Sequence, residues 1–191
     1  PLISMAKTEG NSPEAKSFVN SIKHFNRDCF CQVGDDFKGT LRDYQQYGVN
    51  WLNFIHKMGC GAILADDMGL GKTIQTIAFC TTLVTEKPIL IIGPTNVTYN
   101  WKKEIETFSP SKSVVIYTGS TRQQQLEKCP NPNFIISTFG IVKNDLEFLE
   151  KMTFEAIFID EAQYIKNPKA QISQAVKSLN SRYRIALTGT P

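Results

Sequence analysis

GAILADDMGLGKTIQTIA, residues 61–78, decides the fold. A phosphate-binding loop has the form G-x-x-x-x-G-K-[ST]. Gly71, Lys72 and Thr73 supply its second half, but Asp66 stands where the first glycine belongs. An apolar run at 62–65 precedes the loop, and a helical apolar pattern over 72–84 follows it. That strand–turn–helix setting is the one such a loop needs. Gly69 and Gly71 let the backbone turn tightly and aim N–H groups inward, and the new helix brings its positive N-terminal dipole to the same point. Asp67, Met68, Gly69, Leu70, Gly71, Lys72 and Thr73 would then surround the phosphates of a nucleotide. Lys72 can reach the β and γ phosphates, and the Thr73 hydroxyl can ligate Mg²⁺. The competing reading is a plain glycine turn.

Outward from this stretch, short apolar runs alternate with helical patterns. The runs fall at 62–65, 89–92, 114–117, 134–137, 156–160 and 184–189, with helices expected near 72–84, 97–108, 121–128, 140–151 and 170–180. Strands of this length separated by helices indicate βαβ units and a parallel sheet. Runs apolar throughout, rather than alternating, indicate strands covered on both faces. The fold class is therefore α/β, a mostly parallel sheet with helices on both faces. Ahead of it, TLRDYQQYGVNWLNFIHKM sets Leu41, Tyr44, Gly48, Trp51, Leu52, Ile55 and Met58 on one helical stripe, with Thr40 and Asp43 as a capped start. Residues 1–36 are polar, with one helix expected over Pro13–Phe25 and no recognisable chemistry.

Composition sets the bounds. The chain has 191 residues, 41% hydrophobic and 20% charged, with a formal net charge of +3. That is ordinary globular composition and about one domain in length. The mild basic excess is compatible with nucleic acid without requiring it. Five cysteines, among them Cys29 and Cys31, show no zinc spacing and read as reduced thiols. No apolar run approaches the roughly 18–20 residues that span a bilayer, so no membrane partner is expected, and the compartment reads as cytosolic or nuclear.

Four further strings carry chemistry. IFIDEAQ puts Asp160 at the carboxyl end of an apolar strand, where an open α/β sheet presents residues to a ligand. Asp160 would hold the magnesium, mainly through water, and Glu161 would act as general base on the attacking water; two solvated carboxylates at a strand end are the alternative. LRDYQ offers Gln45, whose amide can donate to and accept from the adenine edge. RIALTGTP ends in Thr188 and Thr190, which could bond toward the phosphates and toward the 160–163 loop. GPTNVTYNWKKEIETF offers Thr95, Asn96 and Trp101, and STFGIVKND offers Ser137, Thr138 and Phe139; both loops suit a nucleic-acid backbone. Core packing is the rival role for Trp101.

Taken in order, these strings resemble the Swi/Snf family of superfamily 2 helicase-like ATPases, in particular its first RecA-like lobe. LRDYQQYGVNWL looks like the Q motif, ILADDMGLGKT like motif I, ILIIGPTNVTYNWKKEI like motif Ia, FIISTFGI like Ib, IDEAQYIKNP like II and RIALTGTP like III. The resemblance covers about residues 37–191, a helicase ATP-binding domain. The family commonly reads D-E-M-G-L-G-K-T, so Asp66 is a family feature, and Asp67 is a small departure from it. Gln163 makes a DEAQ box, which points toward a prokaryotic-type member. The resemblance implies ATP-driven translocation along double-stranded DNA to shift or strip bound proteins, with ATP and Mg²⁺ as cofactors. By the same resemblance Lys72, Thr73, Asp160 and Glu161 carry the ATPase roles, and Gln45 with Arg42 recognises adenine. Thr95, Trp101, Ser137 and Thr138 contact the DNA backbone, while Gln163, Thr188 and Thr190 couple hydrolysis to movement. It also implies a second RecA-like lobe, outside this chain, that supplies arginine fingers worth roughly 10³–10⁵ in rate. The isolated lobe is therefore expected to turn over little ATP. Readings left open are a superfamily 2 RNA helicase, which typically carries S-A-T in motif III, a non-catalytic nucleotide-dependent interaction module, and a small-molecule P-loop kinase.

Overall fold

A computed structural model describes residue 20, residue 25 and residues 30–189. The helix expected over Pro13–Phe25, Cys29 and Thr190 lie outside these described residues, apart from the ring of Phe25. Six strands form one sheet: β1 (Ala62–Leu64), β2 (Ile89–Gly93), β3 (Val114–Ile116), β4 (Phe134–Thr138), β5 (Thr153–Ile159) and β6 (Asn180–Leu187). Their spatial order is β1-β6-β5-β2-β4-β3, and every pairing is parallel. The helices are α1 (Asp43–Lys57), α2 (Lys72–Thr81), α3 (Thr98–Phe108), α4 (Arg122–Glu127), α5 (Phe139–Asn144), α6 (Leu146–Leu149) and α7 (Gln171–Ser178).

Alternate residues of the central strands serve two separate cores. Ile89 and Ile91 of β2, with Phe134 and Ile136 of β4, pack under Val49 and Leu52 of α1, Ile77 and Phe79 of α2, and Trp101 and Ile105 of α3. Leu90, Ile92 and Ile135 face the other way, toward Val142 of α5, Leu149 of α6 and Val176 of α7. Both faces are thus removed from water. Each such side chain contributes about 1.5–3 kcal/mol, an upper figure because the unfolded chain is already partly compact. No described helix is long and apolar enough to cross a membrane.

Boundaries differ from expectation where polar residues find partners. β5 starts at Thr153 and β6 at Asn180, earlier than the apolar runs suggest: the ladder already pairs Thr153 with Asn180 and Phe154 with Ser181, and Glu155 and Arg182 form an ion pair across it at 3.6 Å. The helix expected at 140–151 is two short ones. The break falls at Asp145, whose carboxylate accepts from Arg122 Nη2 at 2.7 Å and from the Tyr117 hydroxyl at 2.9 Å. α1 is capped by Arg42, whose N–H donates to Gln45 Oε1 at 3.0 Å, and not by Thr40. Its buried positions are Gln45, Gly48, Val49, Asn50, Leu52 and Ile55, so Tyr44, 40% exposed, leaves the stripe first drawn. The chain also straps onto the lobe before residue 37. Cys31 N–H donates to Asn50 Oδ1 at 2.9 Å, and Gly34 N–H donates to Thr81 Oγ1 at 2.9 Å.

Candidate nucleotide site at the carboxyl end of the sheet

In an all-parallel sheet every strand delivers its following loop to one end, and ligands bind there. The loops after β1, β2, β5 and β6, the carboxyl end of β4 and the first turns of α2 and α3 carry the expected site residues among those described, except Gln45 and Arg42, which α1 brings in from the side. β6 lies between β1 and β5, so Thr188 emerges between the phosphate loop and the Asp160–Glu161 pair.

The phosphate loop runs from the end of β1 to Gly71, the N-cap of α2. Gly69 and Gly71 both take left-handed backbone angles (φ 82° and 81°), which side-chain-bearing residues rarely adopt. A Cβ on Gly71 would stand 2.5 Å from Gln45 Nε2, so glycine is required there by space as well. Asp66 is held firmly: its Oδ2 accepts from Gln75 Nε2 at 2.9 Å, and Gln75 is fully buried. A Cβ on Gly48 of α1 would lie 1.8 Å from Gln75 Oε1. A glycine in mid-helix, which costs about 1 kcal/mol against alanine, thus makes room for the glutamine that anchors Asp66. The acid at the first-glycine position is a built support of the loop. Sequence reading missed Gln75; the signal was a glycine on the buried side of α1, a mark of close approach.

Lys72 donates from its ammonium to the carbonyls of Asp66 (2.7 Å) and Asp67 (3.1 Å), which places its charge at the mouth of the loop. Thr73 follows, half-buried at the N-terminus of α2. Met68 (83% exposed) and Leu70 form the outer rim. Gln45 is buried; its Nε2 donates to Leu70 O at 3.2 Å while Oε1 takes the Arg42 N–H. Gln45 therefore ties α1 to the loop, and adenine readout would exchange these bonds. The Arg42 side chain is exposed beside it.

On β5, Asp160 continues the ladder by donating its N–H to Ile92 O at 2.7 Å. Its carboxylate accepts from Trp101 Nε1 at 2.8 Å through Oδ2 and from Glu161 N–H at 3.0 Å through Oδ1. Burial pushes the Asp160 carboxyl above the usual carboxylate range, against the pull of these two donors. Glu161 sits in the left-handed region (φ 51°), the only such residue other than glycine among those described. Backbone strain of this kind costs roughly 1–3 kcal/mol and persists where surroundings over-determine it. Here they do: Gln163 Nε2 donates to Glu161 Oε2 at 2.6 Å, and the Thr188 hydroxyl donates to Gln163 Oε1 at 3.0 Å.

The loops expected to meet DNA divide. Thr95 and Asn96 are exposed after β2. Trp101 is 2% exposed and spends its only donor on Asp160. Ser137 is fully buried, donating to Tyr117 O at 3.0 Å. The polar side-chain atoms of Trp101 and Ser137 are thus engaged inside the lobe. Thr138 is nearly buried and caps α5, accepting from Ile141 N–H. Tyr99 and Tyr164, exposed on the same end and not singled out from sequence, add aromatic surface. Tyr164 stacks on Phe139 with ring centroids 5.6 Å apart. Cys31 is buried, its thiol pushed up chiefly by desolvation. Among the described residues no group of three His, Cys, Asp or Glu side chains could hold a metal on its own.

The donor set at the sheet's end suits a nucleotide accompanied by a hard cation. Asp160 and Thr73 offer oxygen atoms of the kind Mg²⁺ takes alongside phosphate, and a Cβ added at Gly69 would meet nothing within 4 Å, so the loop backbone is open to a ligand.

Comparison with known proteins agrees. The SNF2-related domain family matches residues 44–191. YwqA of Bacillus subtilis (strain 168), named as a candidate ATP-dependent helicase/translocase, is 43% identical over 167 residues, taking in 84% of this chain and 18% of that protein. Helicase swr1 of Schizosaccharomyces pombe is 39% identical over 179 residues, 89% of this chain and 14% of that protein. Among solved structures, the Sulfolobus solfataricus SWI2/SNF2 ATPase core in complex with dsDNA superposes with a TM-score of 0.75 at 42% identity, covering 82% of this chain and 33% of that one. The chain thus spans under a fifth of these two curated relatives, and its sheet is the RecA-like fold of the solved core. It belongs to the SNF2-related domain family.

Proposed function

We propose that this lobe binds ATP with Mg²⁺ and forms the nucleotide half of a motor that moves along double-stranded DNA to shift or displace bound proteins. The observation that carries this reading is one arrangement. The phosphate loop, Asp160–Glu161 and Thr188 leave three neighbouring parallel strands at the same end, and Gln163 joins Glu161 to Thr188.

Lys72 would exchange two carbonyl partners for β- and γ-phosphate oxygens, while the N–H groups of Gly69–Thr73 line the phosphates. Gln45 and Arg42 would take the adenine. Thr73 and Asp160 would hold the magnesium, which supplies neutralisation of phosphate charge. Glu161, aimed by its strained backbone and by Gln163, would accept the proton of the attacking water. Since Gln163 also holds Thr188, a change at the phosphates reaches the end of β6. Thr190 would extend the same link.

Support for duplex DNA comes from the solved core, which carries dsDNA, together with exposed Thr95 and Asn96 after β2. Arg122, Arg182 and Arg184 are engaged with Asp145, Glu155 and backbone carbonyls, away from the phosphate loop. An arginine finger would come from a second RecA-like lobe, as the family resemblance implies. Such a motor works wherever its DNA lies, in a prokaryotic cytoplasm or a nucleus.

The test is ATP turnover by the 191-residue chain at low salt, with duplex DNA, with RNA and with neither. Turnover is expected to be slow throughout and to vanish in Glu161→Gln. Stimulation by RNA alone would overturn the duplex reading, and brisk turnover without any second lobe would overturn the need for one.

A further inference from the structure

Trp101 reaches the nucleotide site from an element that otherwise has no business there. It lies on α3, one turn beyond the exposed Thr95 and Asn96, and its indole crosses to the end of β5. Gly93 leaves room around the acid: a Cβ there would come 3.0 Å from Val97 Cγ2 and 3.4 Å from Asp160 Cβ. The indole is 2% exposed, and its Nε1 donates to Asp160 Oδ2 at 2.8 Å; Oδ1 is fixed by Glu161 N–H at 3.0 Å. Each carboxylate oxygen thus accepts from one rigid donor, which sets the plane of the carboxylate and directs its remaining lone pairs outward. A tryptophan used only for packing would need any acceptor for its N–H; this one takes the carboxylate that the ATP reading gives to magnesium.

Resting on that reading of the ATP site, we infer that Trp101 is a positioning residue: its indole N–H sets the Asp160 carboxylate for the nucleotide-bound magnesium and ties that carboxylate to the helix following the Thr95–Val97 loop. The same tie makes α3 a lever on the site. Glu104, one turn further along α3 and bonded to Asn100 at 2.8 Å, is close enough to feel the Asp160 charge.

The decisive variant is Trp101→Phe, which keeps an aromatic ring in the core and removes the donor. Nucleotide affinity of the 191-residue chain is measured by calorimetry with ADP, once with Mg²⁺ and once with EDTA. Loss of a hydrogen bond to a charged group predicts about a tenfold weaker affinity with Mg²⁺ and unchanged affinity in EDTA. Equal loss in both conditions, or no loss in either, would overturn the inference, since packing alone moves both together. The parent chain provides a readout that needs no folded variant. It has two tryptophans, so a ¹⁵N–¹H spectrum shows two indole signals. The Trp101 signal is expected to move on addition of Mg²⁺·ADP, and Trp51, on the outer side of α1, to stay. A Trp101 signal indifferent to Mg²⁺·ADP would sink the idea while leaving the ATP site standing. Failure of the parent chain to bind any nucleotide would take both readings down.

Discussion

β5 and the residue that follows it carry two buried or half-buried carboxylates, one at each end, and they are treated in opposite ways. Glu155, near the amino end, is 6% exposed and surrounded by partners: Arg182 at 3.6 Å, the Thr85 hydroxyl at 3.2 Å and the edge of His56 at 3.9 Å. Asp160, at the carboxyl end, accepts only from an indole and a backbone N–H, both uncharged, and burial leaves its carboxyl pushed up. One acid has its charge answered within the fold. The other is desolvated and oriented, and the attraction of Lys72 does not offset that burial, the condition expected of a group that takes a further cation with its ligand. What separates a structural carboxylate from a working one is therefore the charge of its partners more than its depth.

Parallel acid-to-amide changes break or sharpen that contrast. Asp160→Asn keeps an acceptor for Trp101 and removes the charge. It is expected to lose Mg²⁺-dependent nucleotide affinity and turnover by roughly 10²–10³, the scale of a lost metal contact, with a melting temperature equal to or above the parent's. Calorimetry and a thermal melt report the two quantities separately, and a large drop in Tm would place Asp160 with the structural acids. Glu155→Gln should show the reverse. Nucleotide affinity should hold while stability falls by about 1–2 kcal/mol, roughly 2–8 °C in Tm, a modest cost because Arg182 is itself 64% exposed. Weakened ADP binding in that variant would erase the contrast.

The smallest effect is a pH dependence at the amino end. Burial holds the His56 imidazole below its ordinary value of 6.5, outweighing the attraction of Glu155, with Arg182 and Lys57 adding to the depression. His56 is thus neutral at neutral pH, and its 3.9 Å approach to Glu155 is no ion pair there. Since the unfolded chain binds the proton more readily, stability should decline as pH drops below 6.5. His56→Gln is expected to flatten that decline in urea unfolding between pH 7 and 5; an unchanged slope would assign it elsewhere.

The sequence disclosed the parts that follow one rule at a time. Central strands covered on both faces read as unbroken apolar runs, and the loop from Gly69 to Thr73 reads as a string. The amino ends of β5 and β6 were hidden because Glu155 and Arg182 interrupt the apolar pattern, while the backbone ladder that makes them strand residues joins segments far apart in sequence. The break at Asp145 depends on Arg122 and Tyr117, far away in sequence. Trp101 was legible as an aromatic on a helix, yet its N–H partner lies on another strand, so its burial against Asp160 could not be read. The support that Gln75 gives Asp66 was likewise unreadable, because it needs the packing of α1 on α2.

The central claim is that the loop gripped by Asp66 and Gln75, with Lys72 at its mouth, is a nucleotide phosphate site. The most direct measurement is titration of the chain and of Lys72→Ala with Mg²⁺·ATP, both checked for fold by circular dichroism. The account predicts saturable one-to-one binding in the parent and at least a tenfold loss in the variant, the least expected when a charge-assisted contact is removed. Equal affinity in the two folded proteins would contradict it.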